Sequence, residues 1–445
     1  MEEKREQAVV IGAGVSGLLS ARVLSEHFER TIVLDRDELP DGPEDRKGVP
    51  QSRHLHSLAM KGSELLEELF PGLDAELADV GCPLVDQSFD TITDTPEGRL
   101  PRFRSNVTMR AASRDLLEWR MRRRVEAIPN VRFVERTEAT DLIHGDSRRT
   151  KNIKGIAARS RGDGAETFLA ADLVLDASGN ASRAPEWLEE IGYEAPRETV
   201  VDARLGYATR WYEVPECFDE DWKSLGILPG WPDNPRGGSL RQVEGNRWTA
   251  VLVGIGGDYP PTDEDAFERF AESLPSPIIH DAIKTAKPIS PVHGYRRTAN
   301  RKRHYEKTIL PENFLVSGDA ACVFNPTYGQ GMTTAAMSAM ALKEALEERK
   351  TSNLSRRFHE KQTKAVSPAW TTTANSDRQW SAASVKELTR PRRFLHRVSG
   401  EVMRLATEDE ATAKSLLEVK NLTASPMSLA QPGILFPALA RSLQR

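Results

Sequence analysis

The hydrophobic pattern along the chain changes period several times, and each change marks an element. Ala8-Val9-Val10-Ile11 is continuously apolar and β-prone, as in a parallel strand buried on both faces. A helix-patterned run follows to about Phe28, and Thr31-Ile32-Val33-Leu34 reads as a second buried strand. Residues 37–50 are rich in Asp, Gly and Pro and read as a loop. Leu55, Leu58, Ala59, Leu65, Leu66, Leu69 and Phe70 keep a helical period, and Pro71-Gly72 stops it. Ser113 has the character of an N-cap for a helix through about Ile128, with Asp115 in its first turn. Strand-like runs follow at Val131–Glu135, Gly155–Arg159 and Leu173–Leu175. From about 200 to 300 the texture differs. Arg204–Glu213 alternates, and Ser239–Val243 with Arg247–Gly254 reads as a hairpin around Gly245-Asn246. Phe314–Ser317 returns to the buried-strand pattern, and a small-residue helix runs to about Glu348. Beyond 350 the pattern is helical, broken at Pro391 and Pro426, and carries no motif.

This order predicts an α/β protein. A Rossmann-type nucleotide-binding domain would be interleaved with an antiparallel-sheet substrate domain and followed by a helical C-terminal region. The expected division is 1–195 for the first part of the nucleotide domain, 196–300 for the sheet domain, 301–349 for the last part of the nucleotide domain, and 350–445 for the helical region. A chain of 445 residues is long enough for this. A net charge of −5 argues against a nucleic-acid partner. Three cysteines at unrelated spacings, Cys82, Cys217 and Cys322, make neither a disulfide framework nor a metal site. They fit a reducing cytoplasm. The lead-in Met1–Gln7 is charged and has no apolar signal core. No run approaches the roughly 20 apolar residues of a membrane span.

The chemistry starts where the first strand ends. Gly12, Gly14 and Gly17 have the G-x-G-x-x-G spacing between a strand and a helix. Gly12 permits the turn, Gly14 lets a pyrophosphate approach the backbone, and Gly17 lets the helix pack on the strand. Ala13, Val15 and Ser16 complete the loop, at the positive end of the helix. Asp35 ends the second strand, where a carboxylate accepts from an adenosine ribose, with Arg36 beside it. A carboxylate disfavours a 2′-phosphate, so the expected nucleotide is FAD or NAD rather than NADP. His54 and His56, two apart, make a poor metal pair, and no metal is expected. They read as polar groups at a helix entry or as contacts to cofactor or substrate, with Arg53 among the candidate cofactor contacts. Arg114, at a helix start, could reach a phosphate or flavin edge, whereas the run Arg120–Arg124 reads as a solvated face. Gly254-Ile255-Gly256-Gly257 leads into Asp258-Tyr259-Pro260-Pro261, which cannot open a helix, so it is not a second dinucleotide loop.

Three segments together resemble the flavoprotein monooxygenases of the para-hydroxybenzoate hydroxylase type. They are the N-terminal fingerprint, Asp176–Arg183 at the place of the family's mid-chain "DG" motif, and Gly318-Asp319 with Pro326 and Gly329-Gln330-Gly331 at the place of its "GD" motif. The resemblance covers about residues 8–349. It implies FAD as cofactor, Asp319 on the ribityl chain, a helix from near Gly331 aimed at the flavin pyrimidine edge, and Arg114 on the cofactor. Pro326, Gly329 and Met332 would border the ring. Ser178 stands where the "DG" aspartate normally does, and Cys322 replaces the usual histidine after Gly-Asp-Ala-Ala.

Gly331-Met332-Thr333 is similar to squalene epoxidases. Gln51–His56 and Phe324–Thr333 look like bacterial polyether-pathway epoxidases. The function implied is transfer of one oxygen atom from a C4a-hydroperoxyflavin to an apolar substrate, as olefin epoxidation or aromatic hydroxylation. Its reductant would be NAD(P)H or a separate flavin reductase, and O2 and a small apolar molecule would be its partners. Asn325 and Tyr328 are candidates for the flavin-facing wall, or for loop packing. Halogenases and isoprenoid reductases share the fold. A halogenase would carry a Trp-x-Trp pair, which is absent from the sequence. A Rab escort-type relative would not keep the intact fingerprint. A polyene preference implies a long apolar cleft between the 200–300 sheet and the flavin.

Overall fold

The computed structural model describes residues 5–46, 48–145, 152–348, 353–380 and 389–443; Met1–Lys4 of the charged lead-in lie outside them. A five-stranded parallel sheet forms the centre. Its order is Phe314–Val316, Leu173–Asp176, Arg5–Ile11, Phe28–Leu34, Val131–Val134. The apolar runs are continuous because both faces are covered. One face packs on helices Val15–Leu24, Met60–Leu69, Arg114–Glu126 and Gly331–Glu347. The other packs on an antiparallel sheet formed by Thr137–His144, Ile153–Ser160 and Glu166–Ala170. Register aligns Ile11, Asp176 and Val316, so three loops leave the carboxyl edge side by side. That edge is where open α/β sheets place their ligands.

A second sheet has seven strands, ordered His293–Tyr295, Gly206–Glu213, Arg247–Gly254, Arg236–Val243, Ser224–Ile227, Thr91–Thr95, Gly98–Arg99. The hairpin turns through Gly245 and Asn246, both at positive φ. Alternation sorts its two faces. Ala208, Leu240, Ala250 and Leu252 pack outward on helices Glu264–Glu272 and Ile278–Ile283. Tyr207, Thr209, Val251 and Arg241 therefore face inward. The last two strands of this order come from within the first 195 residues, joined by a parallel pairing of Ser224–Ile227 with Thr91–Thr95.

Two local expectations are corrected. Residues 54–59 are not helical; helix starts at Met60. Tertiary contacts hold the segment extended: His54 bonds Thr209, Ser57 accepts from Arg241, and the Ala59 amide donates to Thr333 Oγ1. The run Arg120–Arg124 is a solvated face only in part: Arg123 is exposed, but its neighbours are not. Arg122 is buried and donates to the Pro40 carbonyl, and Arg124 reaches the Pro71 carbonyl and Glu76. This helix is wedged between the first helix and loop 37–50, and the long side chains bridge the gap.

The C-terminal region is helical: Leu354–Trp380, Arg390–Glu408, Glu410–Lys420 and Pro432–Leu443. The first of these closes the sheet edge. Ser355 Oγ donates to the Phe314 carbonyl, and the Val316 amide donates to His359 Nε2.

Candidate active site

The nucleotide loop is built by close approach. Gly12 has φ +102°, and a Cβ there would lie 2.6 Å from the Ala177 carbonyl oxygen. A Cβ on Gly17 would lie 1.8 Å from the Gly12 carbonyl oxygen. Gly14 differs: its nearest neighbour would be Arg46 Nη2 at 4.0 Å, so the fold leaves open space over this residue. Helix Val15–Leu24 follows with no side-chain cap and no acid in its first turn, leaving its positive end for an anion. Asp35 is buried at the adjoining strand end. It accepts from the Ala13 amide (2.7 Å) and pairs with Arg46 (3.1 Å), which also contacts Glu118.

Gly318-Asp319 meets this loop from the far end of the chain. Ser16 Oγ lies 3.2 Å from Ser317 Oγ, and Gly318, at φ +64°, would bring a Cβ within 2.6 Å of Ser16. Asp319 sits deep in the molecule yet touches open space, as a cleft residue does, and has no hydrogen-bond or ion-pair partner among the described residues. Desolvation raises its pKa, and Arg114 nearby partly offsets this. An unpartnered, enclosed carboxylate is suited to accept from polyol hydroxyls. The Asp319 carboxylate also helps hold the Tyr295 phenol up, after desolvation. It therefore faces the inner side of the large sheet.

The opposite wall is aromatic. His54 stacks edge-on to Tyr207 and Tyr295 at ring distances of 4.8 and 5.8 Å. Burial pushes His54 down to about 4 and His56 to about 3, the latter aided by Arg114, whose Nη1 lies 3.4 Å from His56 Nε2. Both rings are neutral at pH 7. Pro326 and Thr327 are exposed in a short 3-10 turn, Gly329 ends it at φ +66°, and helix Gly331–Glu347 begins with no side-chain cap. Met332 is buried in the core.

The structure thus brings together Gly12–Gly17, Asp35, Arg114, Asp319 and the Pro326–Met332 turn. Other candidates stand apart. Arg36 is exposed, and Arg53 is exposed and paired with Asp45. Ser178 is exposed on the loop beside Gly12, its amide held by Asp176 (2.9 Å). Asn325 does not face the cleft: it is fully buried, capping the turn through Thr327 and donating to Asp377 (2.9 Å). Tyr328 also donates to Asp377 (2.7 Å), as does Asn300 (2.6 Å). Cys322 packs among Phe324, Val366 and Ala369. Asp377, on helix Leu354–Trp380, had no sequence signal; neither a motif nor a period marks a lone acid on a long helix.

Residues 5–372 match the FAD binding domain family. The chain belongs to that family. Protein Rv3254 of Mycobacterium tuberculosis is 31% identical over 452 residues, covering 99% of this chain and 94% of the relative. A kynurenine 3-monooxygenase of Salinispora tropica is 26% identical over 368 residues, 78% of this chain and 74% of the relative. The flavin-dependent brominase Bmp2 shares the fold, with a TM-score of 0.64 at 12% identity over 99% and 98% of the two chains. This flavoprotein is an FAD-dependent monooxygenase of mixed α/β architecture. Its own geometry fits FAD: open space over Gly14, an uncapped helix and an unpartnered Asp319. No helix among the described residues is long and apolar enough to cross a membrane.

Proposed function

We propose that this flavoprotein transfers one oxygen atom to a carbon–carbon double bond of a largely apolar substrate lying between the inner sheet face and the Pro326–Met332 turn. Bound FAD, reduced by NAD(P)H or by a separate reductase, supplies the oxygen activation. The chain's residues do the rest. Gly12–Gly17 and Asp35 hold the dinucleotide, Asp319 and Arg114 orient its middle, and the start of helix Gly331–Glu347 favours negative charge at the ring. Leu205, Tyr207, Val251 and Tyr295 exclude water and seat the substrate.

One observation carries the choice of epoxidation. Phenol hydroxylation is helped by a base that takes the phenolic proton near the working pH. The histidines at this site are held neutral with pKa values of about 4 and 3, which makes them weak bases. Epoxidation asks for no such group. The relationship to a kynurenine 3-monooxygenase favours aromatic hydroxylation as the second reading. The test is turnover of NADPH-reduced holoprotein under 18O2 with paired olefinic and phenolic probes. An 18O-labelled epoxide is expected. A labelled diphenol alone would select hydroxylation, and a flavin indifferent to oxygen would refute both.

A further inference from the structure

The helical layer over the central sheet encloses a cavity of about 30 Å³. Its wall is largely apolar, built by Leu58, Leu66, Leu73, Leu77 and Leu117. These leucines belong to the core on that face of the central sheet, apart from the tyrosine-lined inner face of the large sheet. The cavity has two informative borders. His56 and Met332 bound it on the cofactor side. Gly331, one residue before Met332, looks the other way: a Cβ there would meet nothing within 4 Å, so the helix start opens onto free space. Arg110 and Asp74 bound the cavity toward solvent; they pair with each other, and Asp74 is exposed.

Size and polarity select the occupant. A cavity of this volume takes about two waters or one diatomic molecule, and no alkyl chain. A trapped water wants roughly two to four polar partners. The polar groups in the wall are already engaged. The Glu67 carboxylate accepts from the Gly72 and Asp74 amides. Arg110 donates to Asp74 and to the Cys82 carbonyl. His56 donates from Nδ1 to the His54 carbonyl, and its Nε2 accepts from Arg114. Ser63 Oγ is buried without a partner, and one hydroxyl is too few to hold a water. A dry apolar cavity takes up small apolar gases.

We propose that this cavity is an antechamber for dioxygen. The gas enters past Arg110 and Asp74 and is held beside the start of helix Gly331–Glu347. The organic substrate arrives over the inner face of the large sheet. The two reactants therefore approach from separate sides, and a seated substrate does not shut out the gas. No bond is made or broken in the cavity; it raises the local concentration of the co-reactant. The inference rests on the monooxygenase assignment for the need of dioxygen, and not on the choice between olefin and aromatic ring.

The first readout needs no turnover. Oxidised, FAD-loaded protein carrying 13C-methyl leucine and methionine is placed under dioxygen pressure, and the paramagnetic gas relaxes the methyl groups it visits. Methyls of Leu66, Leu77, Leu117 and Met332 are expected to relax several-fold faster than those of Leu18, Leu19 and Leu24, which are buried in the same core but do not line the cavity. The second readout is reoxidation of dithionite-reduced holoprotein by dioxygen in stopped flow. Leu66→Phe fills the cavity and is expected to slow reoxidation roughly fivefold or more, the equivalent of ~1 kcal/mol of overpacking, with FAD affinity unchanged. Leu66→Met conserves volume and should keep the parent rate. Equal relaxation in the two sets of methyls overturns the proposal, and this comparison in the parent decides even where Leu66→Phe fails to fold. A folded Leu66→Phe protein reoxidised at the parent rate overturns it too. Slowed reoxidation without a labelled epoxide would keep the antechamber and sink the epoxidase reading. A labelled epoxide from a protein whose cavity methyls relax like the others would do the reverse.

Discussion

The nucleotide loop allows fold and cofactor binding to be separated with single methyl groups. Gly14 has φ −76° and ψ 180°, a conformation any L-residue adopts, and a Cβ there would meet only Arg46 Nη2 at 4.0 Å. Gly14→Ala therefore strains nothing. It gains about 0.4–1 kcal/mol from a stiffer unfolded chain, and loses a similar few tenths because alanine is a poorer helix N-cap than glycine. The apoprotein should melt close to the parent. With FAD the methyl occupies the space the pyrophosphate needs, displacing it from the helix amides. Loss of one or two charge-assisted hydrogen bonds amounts to about 2–4 kcal/mol, or roughly 30- to 1000-fold in Kd. Gly17→Ala should behave differently. Its Cβ would stand 1.8 Å from the Gly12 carbonyl oxygen, so helix and strand must part. Overpacking against rigid backbone costs about 3 kcal/mol or more. The assay pairs FAD titration of apoprotein by flavin fluorescence with thermal melts of the same samples. A Gly14→Ala protein that binds FAD within a few-fold of the parent would refute the cradle. One that melts as poorly as Gly17→Ala would refute the claim of open space.

Other outcomes follow from single groups. Asp319→Ala should weaken FAD at least about tenfold with an unchanged melt, since the carboxylate has no hydrogen-bond or ion-pair partner among the described residues; unaltered flavin affinity would remove it from the site. Asp377→Ala leaves Asn300, Asn325 and Tyr328 without their shared acceptor. It should cost roughly 2–4 kcal/mol in urea unfolding and broaden the flavin spectrum by loosening the turn; an unchanged midpoint would contradict the network. Stability should also fall with acid. His359, fully buried, donates Nδ1–H to the Ser355 carbonyl (2.7 Å) and accepts at Nε2 from the Val316 amide (3.1 Å), so it must be neutral. Burial lowers its pKa to about 4 against 6.5 unfolded. Its contribution is complete above pH 6.5 and is lost as pH falls toward 4, by at most roughly 3 kcal/mol. Urea midpoints at pH 7 and 5 should show the drop, and His359→Gln should flatten it; equal pH slopes in the two proteins would defeat the assignment.

The parts of the fold that were legible in the sequence are those held by local rules. The Gly12–Gly17 turn, the Ser113 cap, the hairpin at Gly245-Asn246 and the apolar strand runs each follow from backbone conformation or period. Parts decided by long-range contacts were not legible. The segment from His54 to Ala59 has a helical period, but bonds to residues 155, 184 and 274 positions away hold it extended. Arg122 looks solvated until the loop that covers it is in place. Asn325 looks like a flavin-facing amide until the helix carrying Asp377 is placed behind it.

That last case explains why the C-terminal region appeared empty. Its residues follow no motif because they contribute singly, at isolated positions. Asp377 fixes the turn that ends at Gly329. Asn421 accepts from the Met60 amide (3.0 Å) and from Gln87 (2.7 Å), joining the start of one helix to the loop beneath the large sheet. A family fingerprint records contacts to what all members bind, here the dinucleotide, and those contacts lie within residues 5–372. Contacts to a substrate that differs between members need not repeat. The helices beyond the matched span, Arg390–Glu408, Glu410–Lys420 and Pro432–Leu443, are where such specificity can be stored.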